Sequence, residues 1–172
     1  MAEKLERIFE YRVLVSKKRE LSIPLVEAEQ LRLERLERQL SHGVPALDGR
    51  DAHTLLPIPQ PCEFMWSGHF GSGTVRNATG DGFAIATPEA PPLGKPLIVT
   101  LRDARTGIEL SFPGRVVARV VRGGPSMGVA LEGLPTKSRI GASSSGVYRT
   151  ELSSDFNLKG LDRDTDGDRR AG

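Results

Sequence analysis

Only one cysteine, Cys62, occurs in this chain of 172 residues. That excludes an intrachain disulfide framework and a cysteine-built metal cluster. Aromatic residues make up 5% of the chain, too few for a large core. One domain of about 90–100 residues with less compact flanks is therefore expected. No apolar run approaches the roughly 18 residues of a membrane-spanning helix. The opening stretch MAEKLERIFEYR carries charges throughout and has no apolar segment of a secretory signal. A cytosolic location without membrane insertion is the expectation. An excess of one charge is also missing: Lys and Arg total 24, Asp and Glu 22. The balance holds within residues 1–43, 44–134 and 135–172 alike. Counterion release, which drives non-specific binding to nucleic acid polymers, has little to act on.

What is there falls into successive segments. Residues 1–42 predict a helical hairpin, divided at Pro24 because a proline ring and missing N–H disfavour a helix interior. Leu5, Ile8, Phe9, Arg12 and Val15 recur at helical spacing, as do Val26, Leu33, Leu36 and Leu40. Ser22 is the expected N-cap of the second helix, with Pro24 in its first turn. His42-Gly43 stops that helix. One-sided stripes this short need a cover, either the chain's own domain or another chain. Self-association or partner binding through residues 2–41 is therefore one expectation, and packing on its own domain the other. Residues 43–61, rich in Pro, Gly and Asp, read as a linker.

Residues 62–134 alternate in short runs between turn signals. CEFMW, SGTVRNAT, FAIAT, KPLIVTLRD, IELSFPGRVVARVV and MGVALEGL are the candidate strands. Pro113-Gly114 marks an expected bend or bulge. Six antiparallel strands in so short a span avoid open edges best by closing into a small barrel. The fold class is thus mainly β, a six-stranded antiparallel barrel preceded by an α-helical hairpin. Residues 135–172 lose the pattern and read as a flexible, largely disordered tail.

Several motifs fail on context. Asn77-Ala78-Thr79 matches a glycosylation sequon, but no secretory signal accompanies it. Asp162, Asp164, Asp166 and Gly167 open like a calcium loop, yet the chain ends before the bidentate glutamate that loop requires. The glycines of GTVRNATGDGFAI precede no Lys-Ser/Thr and no helix, so neither phosphate-cradling fingerprint applies. His42, His53 and His69 share no ligand spacing, and no G-x-S-x-G nucleophile motif appears. The chain is not expected to be an enzyme, nor to carry a metal or resident cofactor.

The order of features across residues 62–134 resembles the PilZ domain, a small bacterial β-barrel module. NATGDG matches that family's Asp/Asn-x-Ser-x-x-Gly turn, with Thr79 at the serine position. FAIAT, PPLGKPLIVTL, GRVVARV and MGVAL then follow in the family's order. The resemblance implies a signalling or adaptor protein, in motility or surface-behaviour regulation, and cyclic di-GMP as the ligand to consider. Asn77, Thr79 and Gly82 would contact guanine. The family's second element, Arg-x-x-x-Arg before the first strand, is missing. Arg50 is the only arginine between Arg38 and Arg76, and Thr54 stands four residues on. A guanidinium fork grips phosphate bidentately. Losing one such anchor costs roughly two to three orders of magnitude in affinity. The expectation is an adaptor acting through protein contacts. The alternative is a cyclic di-GMP receptor that combines the turn with Arg50. In the adaptor reading, Asn77 bonds to nearby backbone while Gly80 and Gly82 supply positive φ.

Overall fold

The computed structural model describes residues 1, 3–122 and 124–140. Helix α1 spans Glu3–Val15, with Glu3 and Glu6 in its first turn and Arg12 in its last, the charge order that suits the helix dipole. It buries Leu5, Ile8, Tyr11, Leu14 and Val15. The chain then widens into a π-helical turn, Ser16–Glu20. Helix α2 spans Glu27–Gln39. The two run antiparallel, stitched by Lys17 to Glu29 at 2.7 Å and by Arg32 Nε to Glu10 at 2.6 Å.

Two helix-boundary expectations need correction. Ser22 is not the N-cap: it sits in the left-handed region at φ 52. The cap is Val26, extended at φ −71 and ψ 161, and Pro24 lies outside the helix. Pro24 biases Ile23 away from helical backbone and lies in the non-helical approach, residues 22–26, to α2. Valine offers no capping oxygen. Glu29 reaches back instead and accepts the Val26 N–H at 3.1 Å. Val26 therefore leaves the stripe and is 62% exposed, while Leu33, Leu36 and Leu40 are buried.

Among the described residues seven strands follow: β1 Leu55–Trp66, β2 His69–Ala78, β3 Gly82–Ala86, β4 Pro96–Asp103, β5 Ile108–Val120, β6 Ser126–Leu131 and β7 Thr136–Arg139. They lie in the order β4-β1-β2-β3-β6-β5-β7, and pairing of β4 with β5 closes the first six into an antiparallel barrel. β1 starts at Leu55, so residues 55–61 of the expected linker are strand. Pro57, Pro59 and Pro61 hide this in the sequence, because proline has no ladder donor. Pairing shows the same effect. β1 meets β4 only along Cys62–Met65, and its register with β2 breaks between Leu55 and Gln60. The irregularity in β5 falls between Val116 and Ala118, just past the expected Pro113-Gly114. β7 also lies within the segment expected to be tail, because Thr136–Arg139 pairs with Ser111–Ile108. Its TKSR sequence has no apolar alternation to announce it. Residues 141–172, which include the calcium-loop-like aspartates, lie outside the described residues.

One apolar core joins hairpin and barrel. Leu5, Ile8, Leu33 and Leu36 share a cluster with Phe64, Phe83, Leu101, Leu110, Phe112 and Val129. Phe112 takes Phe83 edge-on at 5.1 Å and Phe9 of α1 edge-on at 6.2 Å. Ser16 adds a polar tether, donating to Gly133 O at 2.7 Å. The hairpin thus covers its stripe with its own barrel. Among the described residues, no helix is long and apolar enough to cross a membrane.

Candidate functional site

The NATGDG turn joins β2 to β3 and is crossed by residues 41–54, which run from the end of α2 to β1. Their contacts explain both the local fold and the burial of the turn. Thr79 Oγ1 donates to Gly43 O at 2.6 Å. The same oxygen accepts the N–H groups of Gly82 at 3.0 Å and Asp81 at 3.2 Å. A hydroxyl has one donor and two acceptor sites, so Thr79 is saturated within the chain. Asn77 Nδ2 donates to Thr54 Oγ1 at 2.8 Å, and Thr54 Oγ1 donates onward to Asp51 O at 3.0 Å. The backbone repeats the pattern, with Gly80 N–H on Ser41 O and Ala78 N–H on Thr54 O. Asn77 and Thr79 are each 1% exposed.

Asp81 supplies the clamp that sequence reasoning missed. Its Oδ2 accepts the Gly43 N–H at 2.8 Å and lies 3.3 Å from His42 Nδ1. Its main-chain oxygen accepts the Leu131 N–H, which ties the turn to β6. Tyr11 of α1 stands beside this cluster, in edge contact with His42. Burial raises the Tyr11 phenol above its ordinary value, and the charges of Asp81 and Glu37 push it the same way. The signal available in advance was Gly80-Asp81-Gly82 itself. An aspartate in a tight turn commonly bonds backbone, though usually nearby rather than 38 positions away.

The roles expected of the two glycines change. Neither Gly80 nor Gly82 is among the positive-φ residues. They are needed for space. A Cβ at Gly80 would lie 2.8 Å from the Tyr11 ring, and one at Gly82 would lie 2.7 Å from Val129 O. Close approach, not left-handed backbone, is the reason for glycine here.

Arg50 lies between Gly49 and Asp51, both of which approach Asn77: a Cβ on Gly49 would lie 3.9 Å from Asn77 Oδ1, and Asn77 Nδ2 donates to Asp51 O at 3.4 Å. The main-chain N–H of Arg50 bonds Asp48 Oδ1 at 3.2 Å. Asn77, Thr79 and Gly82 come together in the turn, and Arg50 is carried on the segment that crosses it, with an exposed side chain. A different arginine, Arg76, lines a cavity of about 310 Å³ beside the turn, with Leu47, Gly49, Asn77, Thr87 and Ser126. Ser126 Oγ is buried in that wall without a hydrogen-bond partner. The volume is at the lower end of the roughly 300–1,000 Å³ typical of ligand pockets.

Two further observations bear on chemistry. Burial pushes the Cys62 thiol up to about 12, so it is not a poised nucleophile. Among the described residues no group of three or more His, Cys, Asp or Glu side chains is placed to hold a metal ion. No protein-family model matches the chain, and no curated protein matches its sequence.

Proposed function

We propose that this chain is a PilZ-like adaptor whose barrel acts through protein contacts, with its guanine-contacting turn closed by its own residues 41–54. One observation carries the reading. The polar atoms that would face a nucleotide, on Asn77 and Thr79, are 1% exposed and hydrogen-bonded to Gly43 and Thr54. A ligand at the turn would first have to break those bonds, and a buried donor left unmatched costs about 1–3 kcal/mol. The bacterial context, motility or surface-behaviour regulation, comes from the resemblance across residues 62–134.

Calorimetric titration of the full chain with cyclic di-GMP tests this. The expected result is no binding heat at high protein concentration. Low-micromolar binding that is lost in Asn77→Ala would overturn the adaptor reading.

A second reading, the cyclic di-GMP receptor, is favoured by the cavity that holds Arg76, Asn77 and the unpartnered Ser126 hydroxyl. There Arg76, not Arg50, would be the non-standard arginine. Loss of binding in Arg76→Ala with retention in Arg50→Ala would identify it.

A further inference from the structure

The outward face of α2 sets one exposed leucine among charged residues. Leu33, Leu36 and Leu40 point into the core. At 100° per residue the position opposite them is Leu31, which is 58% exposed. Glu27, Ala28, Glu34, Arg35 and Arg38 share its side and are all exposed. No hydrogen bond or ion pair engages the side chains of Glu27, Arg35 or Arg38 among the described residues. Leu21, Ile23 and Val26 are also exposed, at the hairpin tip rather than on this face.

The charges on this face choose the partner. The acidic Glu27 precedes Leu31 by four residues, and the basic Arg35 follows it by four. Reversing the helix about Leu31 therefore exchanges acid for base. A parallel copy would set Glu27 against Glu27 and Arg35 against Arg35. An antiparallel copy sets each Glu27 within reach of Arg35 and Arg38 of the second copy, with Leu31 against Leu31. A face of this kind is self-complementary under a two-fold axis, the requirement of an isologous dimer.

We propose that the chain forms a two-fold homodimer through antiparallel α2 helices, with the axis at Leu31 and Glu27–Arg35 pairs on either side. The barrel and the NATGDG turn remain outside this contact, so the dimer and the nucleotide question stand or fall separately.

Analytical ultracentrifugation of the full chain and its variants is the test. The wild type sediments as a dimer that dissociates on dilution. Leu31→Glu places two carboxylates at the axis and weakens association by more than about a hundredfold. All the substituted positions are exposed, so at dilutions where the wild type is monomeric the variants share its thermal midpoint. Glu27→Arg and Arg35→Glu each weaken the dimer, and the double variant restores it, which no general structural role would do. Leu31→Cys crosslinks to its copy on mild oxidation, because the native Cys62 is 5% exposed and stays silent. A monomer at every concentration overturns the proposal. So does a dimer that ignores Leu31→Glu, or a charge exchange that fails to rescue.

Discussion

Replacing Thr79 by valine keeps the shape of the side chain and removes its hydroxyl, which isolates the polar role of this residue. The hydroxyl serves three partners: Gly43 O, Gly82 N and Asp81 N. Gly82 is buried, so its N–H loses its partner with no water to replace it, at about 1–3 kcal/mol. Gly43 is exposed and Asp81 partly so. Their groups can rehydrate, and each bond there contributes about 0.5–1 kcal/mol. The expected loss is about 2–5 kcal/mol, a large share of the roughly 5–15 kcal/mol typical of a domain. Urea unfolding followed by tryptophan fluorescence reads it as a lower midpoint at an unchanged slope. Thr79→Ser is the control. It retains every hydrogen bond and loses one methyl group, at about 1 kcal/mol. A valine variant within about 0.5 kcal/mol of the wild type, or a serine variant as weak as valine, would refute the reasoning.

Two more outcomes follow from the same packing. Gly80→Ala drives a Cβ to 2.8 Å from Tyr11. Overpacking of this kind costs about 1–3 kcal/mol, visible as a lower thermal midpoint, and in a Tyr11→Ala background, which removes the clashing ring, the same substitution should cost less. Cys62, pushed up to about 12 from 9.0 by burial, should resist thiol reagents at pH 8 in the folded protein and react fully once unfolded. Because its folded value lies above its unfolded one, its contribution to stability is complete below pH 9 and lost as the pH rises toward 12.

The sequence made the barrel legible where alternation was clean. KPLIVTLRD buries Leu97, Val99 and Leu101 on one face, as β4 does in the structure. The hairpin was legible from its stripes, and Leu33, Leu36 and Leu40 kept their places. Three features were not legible, each for a physical reason. The start of β1 is written in prolines, which break the ladder while leaving the backbone extended. β7 is polar on both faces and is a strand only because β5 offers it an edge. The closure of the NATGDG turn depends on partners such as Gly43, 36 positions from Thr79, and no local pattern reports a bond across that distance. The motif therefore identified the correct residues and left their engagement invisible. Asp81, which holds residues 42 and 43, looked like a turn residue and nothing more.

Residues 41–54 also alter what counts as a part of this molecule. A boundary drawn between residues 42 and 43 separates hairpin from linker in the sequence. In the folded chain that cut would strip Ser41 O from Gly80 and His42 from Asp81, and would leave Gly43 a chain end. It would also remove α1 from Phe112. Helices, crossing segment and barrel should therefore open together. Amide exchange would show Gly80 and Gly82 protected to the same free energy as the strands, and the chain would unfold in one transition with no surviving barrel intermediate.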